Sequence, residues 1–225
     1  EEICRIMIEH ALSGCTVVRL KGGDPCIFGR GGEELEALAE AGVPYEVVPG
    51  VTSPLGIAAY TGVPLTHRNH TSVVTFITGH AVEAIDWAKV GTADTLVVFM
   101  GLHHIDDIVR ELIRHGRPPR TPALAVRWAT RPDQVTVAGA LEDLPRLVHE
   151  HGLTPPATIL IGEVVALREK LDWFEHLPLF GQRVVVTRAR AQAADITSRL
   201  EELGAEVVHL PAIELRSIDF TVPER

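Results

Sequence analysis

An α/β architecture built on a mixed sheet is what the sequence predicts, and three observations predict it. Short apolar, β-branched runs recur along the chain and alternate with helical stretches, while glycine and proline punctuate the joins. The runs at 123–127 and 134–138 follow one another with no helix between them, which implies a hairpin and so antiparallel pairing within an otherwise crossover-built sheet. With 225 residues, the chain is long enough for two units that each bury a core.

The elements follow in order. Ile3, Met7 and Ala11 sit at helical spacing and Gly14 stops the pattern, so the chain opens inside a helix over 1–13. A strand is expected over 16–20, a glycine-rich loop over 21–32 and a helix over 33–41 that Gly42 ends. A second strand is expected over 45–48, then a turn at Pro49-Gly50, and Ser53 is placed to cap a short helix that Gly62 closes. From residue 72 the pattern changes, and strands are predicted over 72–78, 95–100, 123–127, 134–138 and 158–161, with helices over 105–115 and 144–151. Proline and glycine at 178 and 181 mark a further break, after which 183–187, 194–203 and 206–210 read as strand, helix and strand.

Bulk composition narrows the function. Hydrophobic residues at 46% and charged residues at 23% are globular values, against disorder or a disulfide scaffold. No apolar run is long enough to span a bilayer and the acidic start is unlike a signal peptide, so a cytoplasmic protein with no membrane partner is expected. Cys4, Cys15 and Cys26 form no C-x-x-C pair and read as reduced core thiols. A net charge of −9 argues against nonspecific nucleic-acid binding. It does not exclude an anionic small molecule, because screening confines a local basic cluster to roughly 10 Å.

The stretch 17–34 carries the most chemistry. Paired glycines at a strand end let backbone approach a ligand, and Asp24 can hold an amine or a ribose hydroxyl. An arbitrary glycine loop needs no ligand, since such glycines shape turns and Glu33 and Glu34 favour a helix N-terminus. Here the whole string Arg19-Leu20-Lys21-Gly22-Gly23-Asp24-Pro25-Cys26-Ile27-Phe28-Gly29-Arg30-Gly31-Gly32-Glu33-Glu34 resembles the R-L-K-G-G-D-P-x-x-F-G-R-G-x-E-E signature of the uroporphyrinogen-III C-methyltransferases. The resemblance continues through Val48-Pro49-Gly50-Val51-Thr52-Ser53, Gly62-Val63-Pro64-Leu65-Thr66-His67-Arg68, Thr78-Gly79-His80 and Leu96-Val97-Val98-Phe99-Met100-Gly101. Trp128-Ala129-Thr130-Arg131-Pro132-Asp133-Gln134 and the run from Pro156 to Val165 extend it, so that it covers about residues 1–176.

That resemblance implies the tetrapyrrole methylase fold, two α/β domains with the cofactor crevice between them, over 1–68 and 69–176, then a linker over 177–182. It implies S-adenosylmethionine as cofactor, no metal, a homodimer, and methylation of two pyrrole carbons of uroporphyrinogen III to give precorrin-2. Cofactor contacts carried over are Gly22, Gly23, Asp24, Ile27, Thr52, Ser53, Met100 and Ala129, with Pro156 and Ala157; the family usually has alanine where Ser53 stands. Met100 reads equally as core on sequence alone. The substrate's eight carboxylates call for cations, and Arg30 and Arg68 lie inside matching motifs, with Arg19 and Lys21 behind them. Surface arginines and lysines are more often simply solvated.

His67-x-x-His70 and His103-His104 invite a metal reading, but neither has the glutamate or cysteine partners of a zinc motif. The last unit, 183–225, is similar to the start of uroporphyrinogen-III synthase, with Thr187 and Arg188 at its first strand end. The family's opening G-x-G-P-G-D-P loop and its acid/base pair have no counterpart upstream of Glu1, so an N-terminally truncated enzyme is expected and its catalytic acid/base stays unassigned. Alternatives are another tetrapyrrole methylase of the cobalamin route and a noncatalytic fragment that binds a tetrapyrrole or a partner.

Overall fold

A computed structural model describes residues 2–213; Glu1 and the 214–225 end of the expected last unit lie outside the described residues. In chain order the elements are α1 (Glu2–Leu12), α2 (Gly31–Glu40), α3 (Ser53–Thr61), β1 (Val74–Thr78), α4 (Trp87–Val90), β2 (Thr95–Phe99), α5 (Ile105–Arg114) and β3 (Pro122–Arg127). They continue with β4 (Val135–Ala140), α6 (Leu144–Glu150), β5 (Ala157–Ile161), α7 (Arg168–Leu171), β6 (Arg183–Val186), α8 (Ala194–Glu202) and β7 (Glu206–His209).

Strands β1 to β5 form one sheet in the order β1-β2-β5-β3-β4. β1 pairs parallel to β2, while β2–β5, β5–β3 and β3–β4 are antiparallel. The mixed sheet and the β3–β4 hairpin are therefore both present. Because β2 and β3 each run antiparallel to β5, they share a direction with β1, and all three end at the same edge.

Period-2 alternation sorts the side chains of this sheet between two cores. Leu96, Val98, Ala123, Ala125, Ile159 and Ile161 face α5 and α6, meeting Ile108, Leu112, Leu144 and Val148. Val97, Phe99, Leu124, Val126 and Leu160 face the other way, onto Ile57 of α3 together with Val63, Val164 and Val165. Since both faces are covered, the middle strands read as unbroken apolar runs, Thr95 to Phe99 being buried throughout.

Several expectations are corrected. Residues 16–20 and 45–48 form no strand among the described residues, and Val18 is 83%, Leu20 85% and Val48 73% exposed. An apolar, β-branched run reports strand propensity, whereas a strand also needs a neighbour to take its N–H and C=O groups. Ser53 is not the cap of α3: Thr52 holds that position in extended backbone, with no side-chain cap bond. Cys15 and Cys26 are exposed and Cys4 half-buried, all as free thiols, so they are not core residues.

The remaining chain forms a separate parallel pair, β6 and β7, joined through α8. It is tied back by Gly181 N–H donating to Pro132 O at 3.0 Å and by Phe180 packing edge-on to Phe174 at 5.3 Å. Among the described residues no helix is long and apolar enough to cross a membrane.

Leu160 lies fully buried in β5, between β2 and β3. Leu160→Ala should lower the free energy of unfolding by about 2–5 kcal/mol in a urea titration. A loss under about 1 kcal/mol would contradict a close-packed position.

Candidate functional site

The shared edge where β1, β2 and β3 end is the place where an α/β sheet offers unpaired backbone and room for a ligand. Facing it are two loops from the N-terminal part of the chain. Between them lies a cavity of about 700 Å³, within the range of small-molecule sites.

Gly22, Gly23 and Ile27 line it from the first loop, and Thr52 and Ser53 from the start of α3. Met100 follows β2, Ala129 follows β3, and Pro156 and Ala157 lead into β5 through the cis Pro155–Pro156 peptide. Nine residues expected as cofactor contacts thus meet on one cavity, although they are spread over 136 positions of sequence, from Gly22 to Ala157 (157 − 22 + 1).

Asp24, the tenth, stands behind the lining. One carboxylate oxygen accepts the Cys26 N–H at 2.8 Å and the other the Gly50 N–H at 3.0 Å. These backbone donors, Gly50 first, hold its carboxyl below the ordinary 3.8. The bond to Gly50 clamps one loop onto the other. Close approach demands glycine there, because a Cβ at Gly50 would lie 2.2 Å from the Gly23 carbonyl oxygen, and Gly23 itself takes φ +73°.

The expected cations lie elsewhere. Arg19 and Lys21 both bond the Glu34 carboxylate, the lysine at 2.7 Å and the arginine at 3.1 Å, which neutralises them locally. Arg30, the left-handed residue before α2, pairs with Glu33 at 3.3 Å and its side chain is 80% exposed. Arg68 is exposed in the turn closed by the His67–Thr71 bridge. Neither Arg30 nor Arg68 lines the cavity. His67 and His70 stack at 4.8 Å between ring centroids.

Sequence reasoning missed other lining residues. Phe28, Trp128 and Thr130 reach the cavity with φ of +51°, +49° and +75°, and the expected Met100 does so with φ +52°. Left-handed backbone costs a non-glycine residue on the order of 1–3 kcal/mol and persists where surrounding contacts fix it. No composition rule flags a tryptophan or methionine for such a position. Phe28 packs on Phe99 at 4.8 Å, and the guanidiniums of Arg127 and Arg131 lie 3.6 and 4.8 Å from the Trp128 ring centre. Arg131 is the one ionisable side chain among the described residues of the lining, and Asp133 holds it in a two-point pair at 2.8 and 3.0 Å.

Known proteins resemble this chain in sequence and in fold. The profile of the Tetrapyrrole (Corrin/Porphyrin) Methylases matches residues 1–145. A siroheme synthase of Pseudomonas fluorescens is 49% identical over 179 residues, covering 78% of this chain and 39% of that protein. The chain thus spans about two fifths of the length of the curated relatives it matches. The native uroporphyrin III C-methyl transferase from Thermus thermophilus is 42% identical with a TM-score of 0.66, covering 74% of this chain and 71% of that one. The same enzyme complexed with S-adenyl homocysteine gives 42% identity and a TM-score of 0.64, covering 74% of each chain.

Asp24→Asn removes one acceptor from the clamp while keeping its shape. Because the folded-state pKa is depressed, the carboxylate's contribution is present above its unfolded pKa and is lost as pH falls through the folded value. Melting temperatures of the two proteins should differ by a constant amount down to about pH 5 and converge below about pH 4. A difference that does not change with pH would remove this role.

Proposed function

Because the chain belongs to the tetrapyrrole (corrin/porphyrin) methylase family, we propose that it forms the methyl-transfer part of an S-adenosylmethionine-dependent uroporphyrinogen-III C-methyltransferase. The observation that carries this reading is the convergence of Gly22, Gly23, Thr52, Ser53, Met100 and Ala129 on one cavity at the strand ends. The 42% identity to an enzyme with that substrate in its name, also known as a complex with the demethylated cofactor, supports it.

The residues present fit the cofactor. Gly22 and Gly23 offer backbone without side chains, and Phe28, Phe99 and Trp128 supply apolar area for a flat ring. S-adenosylmethionine supplies, when bound, an electrophilic methyl on a sulfonium that is already a good leaving group. What remains for the protein is to hold donor and acceptor carbon in line and to exclude water. A lining with a single ionisable side chain, itself paired, suits that task better than proton transfer.

Around this site the proposed organisation is a first domain over 1–68, a second over 69–176 and a linker over 177–182. The unit from residue 183 would open a uroporphyrinogen-III synthase domain, and synthase and methyltransferase would act in succession on one tetrapyrrole. Arg30 and Arg68, both exposed, are proposed to meet substrate carboxylates outside the cavity. A cytoplasmic homodimer completes the reading. The siroheme synthase relatives favour siroheme as the end of the route.

One observation favours a second reading. Segments 16–20 and 45–48 pair with no strand among the described residues, so the crevice would hold cofactor without full bracing of its glycine-loop wall and bind without turning over.

A single experiment separates the two. The protein is titrated with S-adenosylhomocysteine by calorimetry, then incubated with uroporphyrinogen III and methyl-labelled S-adenosylmethionine. The proposed function predicts binding and two labelled methyls per tetrapyrrole. Binding without label selects the second reading, and absence of both overturns the assignment.

A further inference from the structure

Thr130 is a β-branched residue held at φ +75° in the lining of the cavity. A left-handed threonine is strained, so something must fix it. Its N–H donates to Gln134 Oε1 at 2.9 Å, and Gln134 is only 4% exposed. An amide that accepts with its oxygen must donate with its nitrogen, so the far side of Gln134 needs an acceptor.

That acceptor comes from the far end of the chain. Gln134 Nε2 donates to Glu175 Oε1 at 2.8 Å. The other Glu175 oxygen accepts from Arg168 Nη2 at 2.6 Å, and Arg168 Nη1 donates to Thr61 O at 2.8 Å, at the end of α3. All three side chains are largely buried, Arg168 at 15% and Glu175 at 19% exposed. Arg168 and Glu175 lie beyond the 1–145 stretch that the family profile matches. Glu175 stands just ahead of the segment leading to β6, and Trp173 beside it donates to Ala59 O at 2.8 Å.

We propose that Glu175 is a positioning residue for the crevice: it fixes the Gln134 amide and thereby the Thr130 wall, coupling cofactor affinity to the chain that leads into the C-terminal unit. Glu175 touches no ligand and acts through Gln134. Its two oxygens serve two donors, and both must be acceptors. Glu175→Gln leaves one acceptor for two donors, so one bond is lost whichever way the new amide turns. The double change Gln134→Glu/Glu175→Gln restores the three bonds of the Thr130–134–175–Arg168 chain with the middle one reversed: the carboxylate at 134 accepts from Thr130 and from the amide at 175, whose oxygen accepts from Arg168, and only the longer Gln134 Nε2 contacts to Tyr60 O at 3.4 Å and Thr136 Oγ1 at 3.5 Å are given up.

The inference rests on the reading that the crevice binds S-adenosylmethionine, and the test separates the two. Affinity for S-adenosylhomocysteine is measured by calorimetry, and exchange of the Thr130 amide by NMR or mass spectrometry, in wild type, Glu175→Gln, the double variant and Trp173→Phe. Glu175→Gln should bind roughly tenfold more weakly and exchange Thr130 faster, and the double variant should return both toward wild type. Trp173→Phe, which loosens the same segment without touching Gln134, should change neither. Unchanged affinity and exchange in Glu175→Gln would overturn the inference. So would a double variant no better than the single one, or an equal loss in Trp173→Phe. If wild type binds no S-adenosylhomocysteine the proposed function fails, while the Thr130 exchange rates still decide the positioning role.

Discussion

Strands β2, β5 and β3 are buried on both faces, and that burial sets what the rest of the chain can do. With α5 and α6 against one face and α3 with the 163–165 segment against the other, neither surface is free to hold a ligand. The strand ends are left, and there the parallel strands β1, β2 and β3 deliver Gly79, Met100 and Trp128 to one edge. The crevice is a consequence of how the sheet is covered.

The two walls of this crevice are held by different physics. Beneath Met100, Trp128 and Ala157 lie close-packed strands, whose positions follow from apolar burial. The glycine-loop wall has no ladder among the described residues and depends on polar ties: Asp24 to the Gly50 and Cys26 amides, and Glu34 to Arg19 and Lys21. Exposed ion pairs contribute little, but the Lys21–Glu34 pair is largely buried, at 11% and 13% side-chain exposure, and is held more firmly than a surface pair. Four non-glycine residues in left-handed backbone sit between the walls, so the site concentrates strain that the sheet's packing offsets.

Much of this was legible in the sequence and some of it was not. Short apolar runs placed β2, β3 and β5 to within a residue or two, because burial on both faces writes a continuous apolar stretch. Strand β2 stops at Phe99, one residue short of expectation, since Met100 turns left-handed. The 16–20 and 45–48 segments carry the same apolar signal without a strand to pair with among the described residues, a failure that propensity alone cannot reveal. Asp24 read as a ligand contact because a carboxylate beside glycines offers lone pairs; its clamp to backbone amides two and 26 positions away, one on each oxygen, has no sequence signal. Gln134 bonding Glu175 leaves no trace in composition, since the two are 41 positions apart and each looks like an ordinary surface residue.

The central claim is a place: the methyl donor lies between the glycine loop and the ends of β2 and β3. A crystal structure of the protein with S-adenosylhomocysteine tests it most directly. The account predicts ligand density touching Gly22 and Gly23 on one side and Met100 and Ala129 on the other. Density elsewhere, for instance in the smaller cavity beside α8 lined by Arg190, Thr197 and His209, would contradict it.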